Sequence, residues 1–311
     1  MTPIVVSEAS DDQRDAFLAH THVQWGGKRS LAAYRTQVRN LLATPWGRDR
    51  YRFYLARSEG GSVVAGCKVY DLDMLAGGRV VPTIGFGAVF AVPEFRGRGH
   101  AAAMLRVLMG DRGRAGAVLA TLMSDIDPGY YERLGFVRLP STEALAPVAA
   151  LPDLRPGARL RPATAADHAL IATLSRDLAR RHTLSYRRHP DHVAFVLAWR
   201  EIPDVLILEQ HGRPAGFLIG DRAGEGYLIV EGGSRDPADT PAWLGAVAAR
   251  ARKLGATRVC GWLPAGDPAI AACFAWHERT DGIWMAAPLT PEAPDVASLA
   301  AGAHCWEFDH F

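Results

Sequence analysis

Val89-Phe90-Ala91-Val92-Pro93-Glu94-Phe95-Arg96-Gly97-Arg98-Gly99-His100-Ala101-Ala102 is the stretch from which the rest of the chain can be read. The apolar run from Ile84 to Val92 predicts a strand, and Pro93, with no amide hydrogen to give a ladder, ends it. From His100 onward Met104, Leu105, Leu108 and Met109 predict a helix. The turn between them therefore sits at a helix N-terminus, where unpaired amides and the positive end of the helix dipole favour an anion. Gly97 and Gly99 allow backbone to approach that anion, and Arg96 and Arg98 add charge. The stretch reads as a phosphate cradle between strand and helix. Taken alone, it also fits a basic turn that merely caps a helix. No GxxxxGK[ST] motif occurs, and the glycine spacing is not that of a dinucleotide fold.

Composition narrows the setting. A length of 311 residues predicts two domains, and 49% hydrophobic with 22% charged residues is ordinary for a soluble globular protein. A net charge of +2 makes no electrostatic case for nucleic acid or an anionic membrane. Cys67, Cys260, Cys273 and Cys305 lack metal-ligand spacing and read as reduced thiols of a cytoplasmic protein; no metal is expected. No secretory leader or bilayer-spanning run is evident, so the expected location is cytoplasmic.

Working outward, Ser10 and Gln13 have capping-box spacing before a helix carrying Phe17 and Leu18. A second helix covers about Leu31 to Leu42, and Tyr51 to Ser58 and Ser62 to Asp71 form a hairpin through Gly60-Gly61. Beyond the cradle helix, Ala117 to Met123 is a buried strand by composition. It runs into Ser124-Asp125-Ile126-Asp127-Pro128-Gly129-Tyr130-Tyr131-Glu132-Arg133-Leu134-Gly135-Phe136.

Two of these motifs carry a resemblance. Arg96, Gly99 and Ala101 fit the Arg/Gln-x-x-Gly-x-Gly/Ala pattern of the acyl-CoA loop of the GNAT acetyltransferase superfamily, and Tyr131 to Phe136 resembles the segment before that family's final strand. The resemblance implies acetyl-CoA as co-substrate, with Val89, Phe90 and Ala91 along the pantetheine arm. Arg96, Gly97, Arg98, Gly99, His100, Ala101 and Ala102 would lie on the pyrophosphate. It makes Tyr131 the acid that protonates the departing thiolate, a role suited to a phenol that keeps its proton at neutral pH; packing alone is the alternative. Trp25, before Gly26-Gly27, is a candidate acceptor-side residue or plain core.

The second half repeats the first. Leu139 to Gly157, with four prolines, reads as a linker. Leu160 to Asp167 is then a fresh strand and capping box, and Val205 to Glu209 and Ala215 to Gly220 repeat the hairpin. Where a second cradle should lie, Glu231-Gly232-Gly233-Ser234-Arg235-Asp236-Pro237-Ala238-Asp239 places three acids against a would-be phosphate. The aromatic tail, His304 to Phe311, should dock rather than fray, or form a last strand.

The chain thus resembles a tandem GNAT protein of the enhanced-intracellular-survival or fungal lysine-acetyltransferase kind, an α/β (α+β mixed-sheet) chain of two GNAT folds. The expected division is an acetyl-CoA domain over 1–145, a linker over 146–158, a degenerate GNAT-like domain over 159–290 and a tail over 291–311. In some such relatives the C-terminal carboxylate is the base, which would here be Phe311; Glu307, Asp309, His304, His310, Asp71, Asp73, Asp125 and Asp127 are other candidates. The function expected is N-acetyl transfer to a small-molecule or lysine-type amine, with a non-catalytic acyl-CoA sensor or an interaction module as rivals. The sequence leaves oligomeric state and acceptor open.

Overall fold

The computed structural model describes residues 3–310, so Phe311 lies outside the described residues. The chain opens with β1 (Ile4–Glu8) and α1 (Asp11–Trp25), entered through the expected capping box: Gln13 N donates to Ser10 Oγ at 3.4 Å and Ser10 N to Gln13 Oε1 at 3.2 Å. There follow α2 (Leu31–Ala43), α3 (Pro45–Arg50), β2 (Tyr51–Ser58), β3 (Val63–Ala76) and β4 (Arg79–Ala91). The cradle leads into α4 (His100–Arg114), then β5 (Leu119–Ser124), α5 (Gly129–Glu132) and the two-residue β6 (Val137–Arg138).

The second half copies this order with β8 (Ala158–Pro162), α6 (His168–Ala179), β9 (Leu184–Tyr186), α7 (Pro190–Arg200), β10 (Asp204–Gln210), β11 (Arg213–Ala223) and β12 (Gly226–Ser234). It continues through α8 (Thr240–Lys253), β13 (Arg258–Gly261), α9 (Pro268–Ala271) and β14 (Ala275–Glu278). Two strands remain: β7 (Thr142–Pro147), before the second half begins, and β15 (Ile283–Pro288), after it ends. A short α10 (Val296–Leu299) precedes the tail.

The two mixed sheets have matching strand orders, β1-β2-β3-β4-β5-β15-β6 and β8-β10-β11-β12-β13-β7-β14, with β9 added against β3 in the first. The fold is therefore a tandem pair of the same α/β unit, as the sequence suggests. The halves, however, trade a strand. β15 lies antiparallel between β5 and β6, with Met285 opposite Leu122 on one side and Arg138 on the other. β7 lies between β13 and β14, with Leu145 opposite Cys260 and Ala275.

The physical reason is satisfaction of edges. β5 and β13 each end a run of paired strands, and a strand from the other half covers them instead of solvent. Trp284, Met285 and Ala286 of β15 and Ala144 and Ala146 of β7 are fully buried there. Residues 142–147, most of which fall before the linker expected over 146–158, thus serve the second sheet, and Ile283–Pro288, which follows the second half's other strands in the chain, serves the first.

Candidate acyl-transfer site

In the first sheet β4 and β5 run parallel only from Thr83 opposite Leu119 to Phe86 opposite Leu122. Beyond that point β5 is held by β15, with Met123 opposite Trp284, while β4 stays with β3. A wedge opens between residues 87–91 of β4 and the end of β5. Ala88 has φ 45°, and the register with β3 shifts there: Lys68 faces Gly87 while Gly66 faces Phe90. This bulge bends β4 outward and leaves its backbone on the wedge side without strand partners. Val89, Phe90 and Ala91 all line this stretch and are half-buried.

The cradle follows directly. A short turn of 3-10 helix at Pro93–Phe95 ends the strand, and Arg96, Gly97, Arg98 and Gly99 are exposed. Gly97 and Gly99 have φ of 74° and 79°, the left-handed region in which a Cβ is strained even though neither site is crowded. Gly99 is the N-cap of α4 and no side chain caps that end, so its first amides face outward. Arg96 Nε reaches back to Ala91 O at 3.3 Å, Arg98 lies 5.6 Å from the Phe95 ring, and His100 is buried beside Phe95. Half-buried Ala101 and Ala102 complete the first turn.

Tyr131 sits on α5, which begins where Asp127 Oδ1 accepts from Gly129 N at 3.0 Å. It is buried in the core shared by α4, β3 and β5, with Cys67, Phe86 and Leu122. Tyr130 crosses its ring edge-on at 4.9 Å. Burial pushes the Tyr131 phenol well above the ordinary tyrosine range, and Tyr130, Asp125 and Cys67 push the same way, so it holds its proton.

The tail docks. Trp306 and Phe308 are buried, Arg200 forms an ion pair with Glu307 and donates to His310 O at 2.9 Å, and Arg188 holds Asp309. This brings His310 Nε2 to 3.4 Å from Asp125 Oδ1, just past the end of β5, with Trp262 5.6 Å away. The hydrogen bond from His310 holds the Asp125 carboxyl below the usual carboxylate range, against the effect of burial. Phe311, the base expected from the resemblance, lies outside the described residues; the structure carries the tail as far as His310. Of the other candidates, Asp309, Glu307 and Asp73 are taken up in ion pairs with arginines, and His304 is buried in the second half.

On the opposite face of β4, α1 meets Phe90 through Phe17 at 5.2 Å and His20 at 5.7 Å. Trp25 is half-buried at the end of that helix, beyond the residues that touch Phe90. Sequence reasoning missed Lys68 there. Its ammonium is buried, donates to Tyr34 Oη at 3.1 Å and lies 4.6 Å from the Trp199 ring. Burial lowers its pKa, with Tyr34 opposing. The only signal was a lysine inside an apolar strand of a lysine-poor chain.

The second half keeps the wedge but not the cradle. β12 and β13 part after Ile229 opposite Gly261. Asp236 Oδ1 accepts from Ala238 N at 2.9 Å and Asp267 Oδ2 from Thr240 Oγ1 at 3.0 Å, so acids occupy the ground before α8. Among the described residues no group of three or more His, Cys, Asp or Glu is placed to hold a metal, and no helix is long and apolar enough to cross a membrane.

Over residues 5–138 the chain matches the family model of the acetyltransferase (GNAT) domain. No curated protein matches the chain by sequence. Among solved structures it is similar to a GCN5-related N-acetyltransferase from Kribbella flavida at 21% identity and TM-score 0.72, covering 92% of this chain and 72% of that one. It is similar to another from Anabaena variabilis at 15% identity and TM-score 0.73, covering 93% and 73%. Eis1 from Mycobacterium abscessus aligns at 14% identity and TM-score 0.64, covering 94% and 74%.

Proposed function

Because residues 5–138 match the family model of the GNAT acetyltransferase domain, we propose that the protein is an N-acetyltransferase that moves an acetyl group from acetyl-CoA to a primary amine by direct attack in a ternary complex. What carries this reading is the wedge between β4 and β5, open at its end onto a glycine-and-arginine turn, with a buried, protonated tyrosine in the core against which Val89 of β4 packs. In it the pantetheine arm lies along Val89, Phe90 and Ala91. Amides from Gly97 to Ala102, with Arg96 and Arg98, hold the pyrophosphate. The amine attacks the thioester carbonyl, and a β4 amide near Phe90 stabilises the oxyanion. As the tetrahedral intermediate collapses, the carbon–sulfur bond breaks and Tyr131 gives its proton to the thiolate.

The amine must also lose a proton. Asp125 and His310 are paired at the mouth of the wedge, an ionised carboxylate orienting an imidazole, and we assign the proton acceptor to this pair. Trp25 and the half-buried end of α1 remain the proposed acceptor side.

The test is thiol release from acetyl-CoA across a panel of amines. Tyr131→Phe should lower kcat by about a hundredfold or more with little change in KM for acetyl-CoA. His310→Ala should lower kcat by less than that. Tight acetyl-CoA binding with no thiol release on amino acids, polyamines, aminoglycosides or lysine peptides would replace the transferase reading with a sensor.

A further inference from the structure

One cavity lies away from the acyl-transfer wedge. It fills the corresponding wedge of the second half, about 430 Å³ between the ends of β12 and β13 and beneath residues 301–306 of the tail. That volume suits a small-molecule ligand. Its wall is mostly apolar, with Leu178, Trp243, Leu263, Ile270 and Trp306 contributing. Apolar walls alone would name no ligand; the polar groups set among them do.

Arg279 lines the cavity with its guanidinium stacked 3.3 Å from the centre of the Trp262 ring. Its Nε and Nη1 are buried without a hydrogen-bond partner, and Nη2 has only the Cys305 sulfur at 3.9 Å. Among the described residues no carboxylate forms an ion pair with it. His304, 8% exposed on the same wall, likewise has Nε2 buried without a partner. An arginine keeps its charge at any working pH, so this is a cation largely withdrawn from water, with Asp281 and Glu143 near enough to pull on it but neither in an ion pair with it. His304 and neighbouring His182 are held neutral, because burial lowers both. Arg181, also on the wall, is turned to the carbonyls of Ser234 and Arg235.

The other end of the cavity has the opposite character. Asp236, Asp239 and Asp267 surround the start of α8, where the first half has its phosphate turn. A polyphosphate is repelled there. The wedge therefore keeps room for an apolar body and one anionic head, with the head at Arg279.

We infer that the wedge of the second half binds an apolar monocarboxylate, its carboxylate on Arg279 and His304 and its hydrocarbon body among Leu178, Trp243, Leu263 and Ile270. The site is independent of acetyl transfer at the first wedge. Its occupant would rest against residues 301–306, four residues before His310 reaches Asp125.

Octanoate is the probe, titrated into the full chain by calorimetry and by the fluorescence of Trp243, Trp262 and Trp306, all of which line the cavity. Octanoate should bind once per chain, and 1-octanol, which lacks the charge, about tenfold to a hundredfold more weakly. Arg279→Gln should remove that difference by weakening octanoate alone. Gly266→Phe gives a second variant that does not touch the arginine. A Cβ at Gly266 meets no atom within 4 Å, so the ring can be accommodated, and it should block octanoate while leaving acetyl-CoA binding intact. Equal binding of octanoate and octanol to the wild type overturns the proposal. So does octanoate binding that survives Gly266→Phe, or that acetyl-CoA displaces.

Discussion

Arg188 carries two buried carboxylates at once, Glu231 at 2.8 Å and Asp309 at 2.5 Å, all three side chains being 1% exposed. One positive charge cannot fully offset two negative ones removed from water. Burial is the larger influence on Asp309 and, helped by Glu231, pushes its carboxyl up to about 6 against the pull of Arg188. A carboxyl raised on folding adds stability that is fully present below its unfolded value and is lost as pH rises through the folded one. Asp309 belongs to the tail, so the docked tail should hold more firmly at pH 5 than at pH 8. Asp309→Asn, which keeps the shape without the charge, should flatten that dependence. Thermal melts of both proteins across this range, followed through Trp306, check it; a wild type equally stable at both ends would contradict the assignment.

Among the elements, the cradle turn is the clearest case of local chemistry fixing local structure. Gly99 must take a left-handed conformation to launch α4 with its amides facing out, and nothing crowds it. Gly99→Ala should therefore act through backbone strain alone, costing about 1–2 kcal/mol. We expect KM for acetyl-CoA to rise several-fold while kcat on a good amine changes little, because Tyr131 and Asp125 are untouched. Steady-state kinetics with acetyl-CoA varied at saturating amine separate the two. Features of this sort were legible in the sequence, since the capping box at Ser10 and the turn at Gly97 and Gly99 each depend on residues a few positions apart. Lys68 and the Arg188 cluster were not legible. Their partners, Tyr34 and Trp199 in the one case and Glu231 and Asp309 in the other, are far along the chain, and no spacing rule links them.

For the whole molecule the traded strands matter most. Tandem repetition could be read from recurring strand, helix and hairpin patterns. The trade could not, because Thr142–Pro147 and Ile283–Pro288 are short strands whose composition suits either sheet equally. Each sheet is nonetheless incomplete without the other half, so the two should unfold together. Calorimetry should give one transition, and residues 1–157 and 158–310 expressed apart should each be poorly folded but assemble when expressed together. Two well-separated transitions, or a stably folded monomeric half, would contradict this. The expected domain boundaries describe the chain's order of elements, whereas cooperativity follows the sheets.

The placement of β15 also bears on how the protein comes into being at the ribosome. Both walls of the wedge, β4 and β5, have been translated once β6 is made, yet the outer edge of β5 stays open until Ile283–Pro288 emerges. That strand is encoded about 145 residues later, a delay of about 7–30 s at ordinary rates of translation. A nascent chain at that stage has both walls of the wedge and lacks the strand that covers the outer edge of β5. A fragment released before that strand emerges exposes an unpaired strand edge along β5.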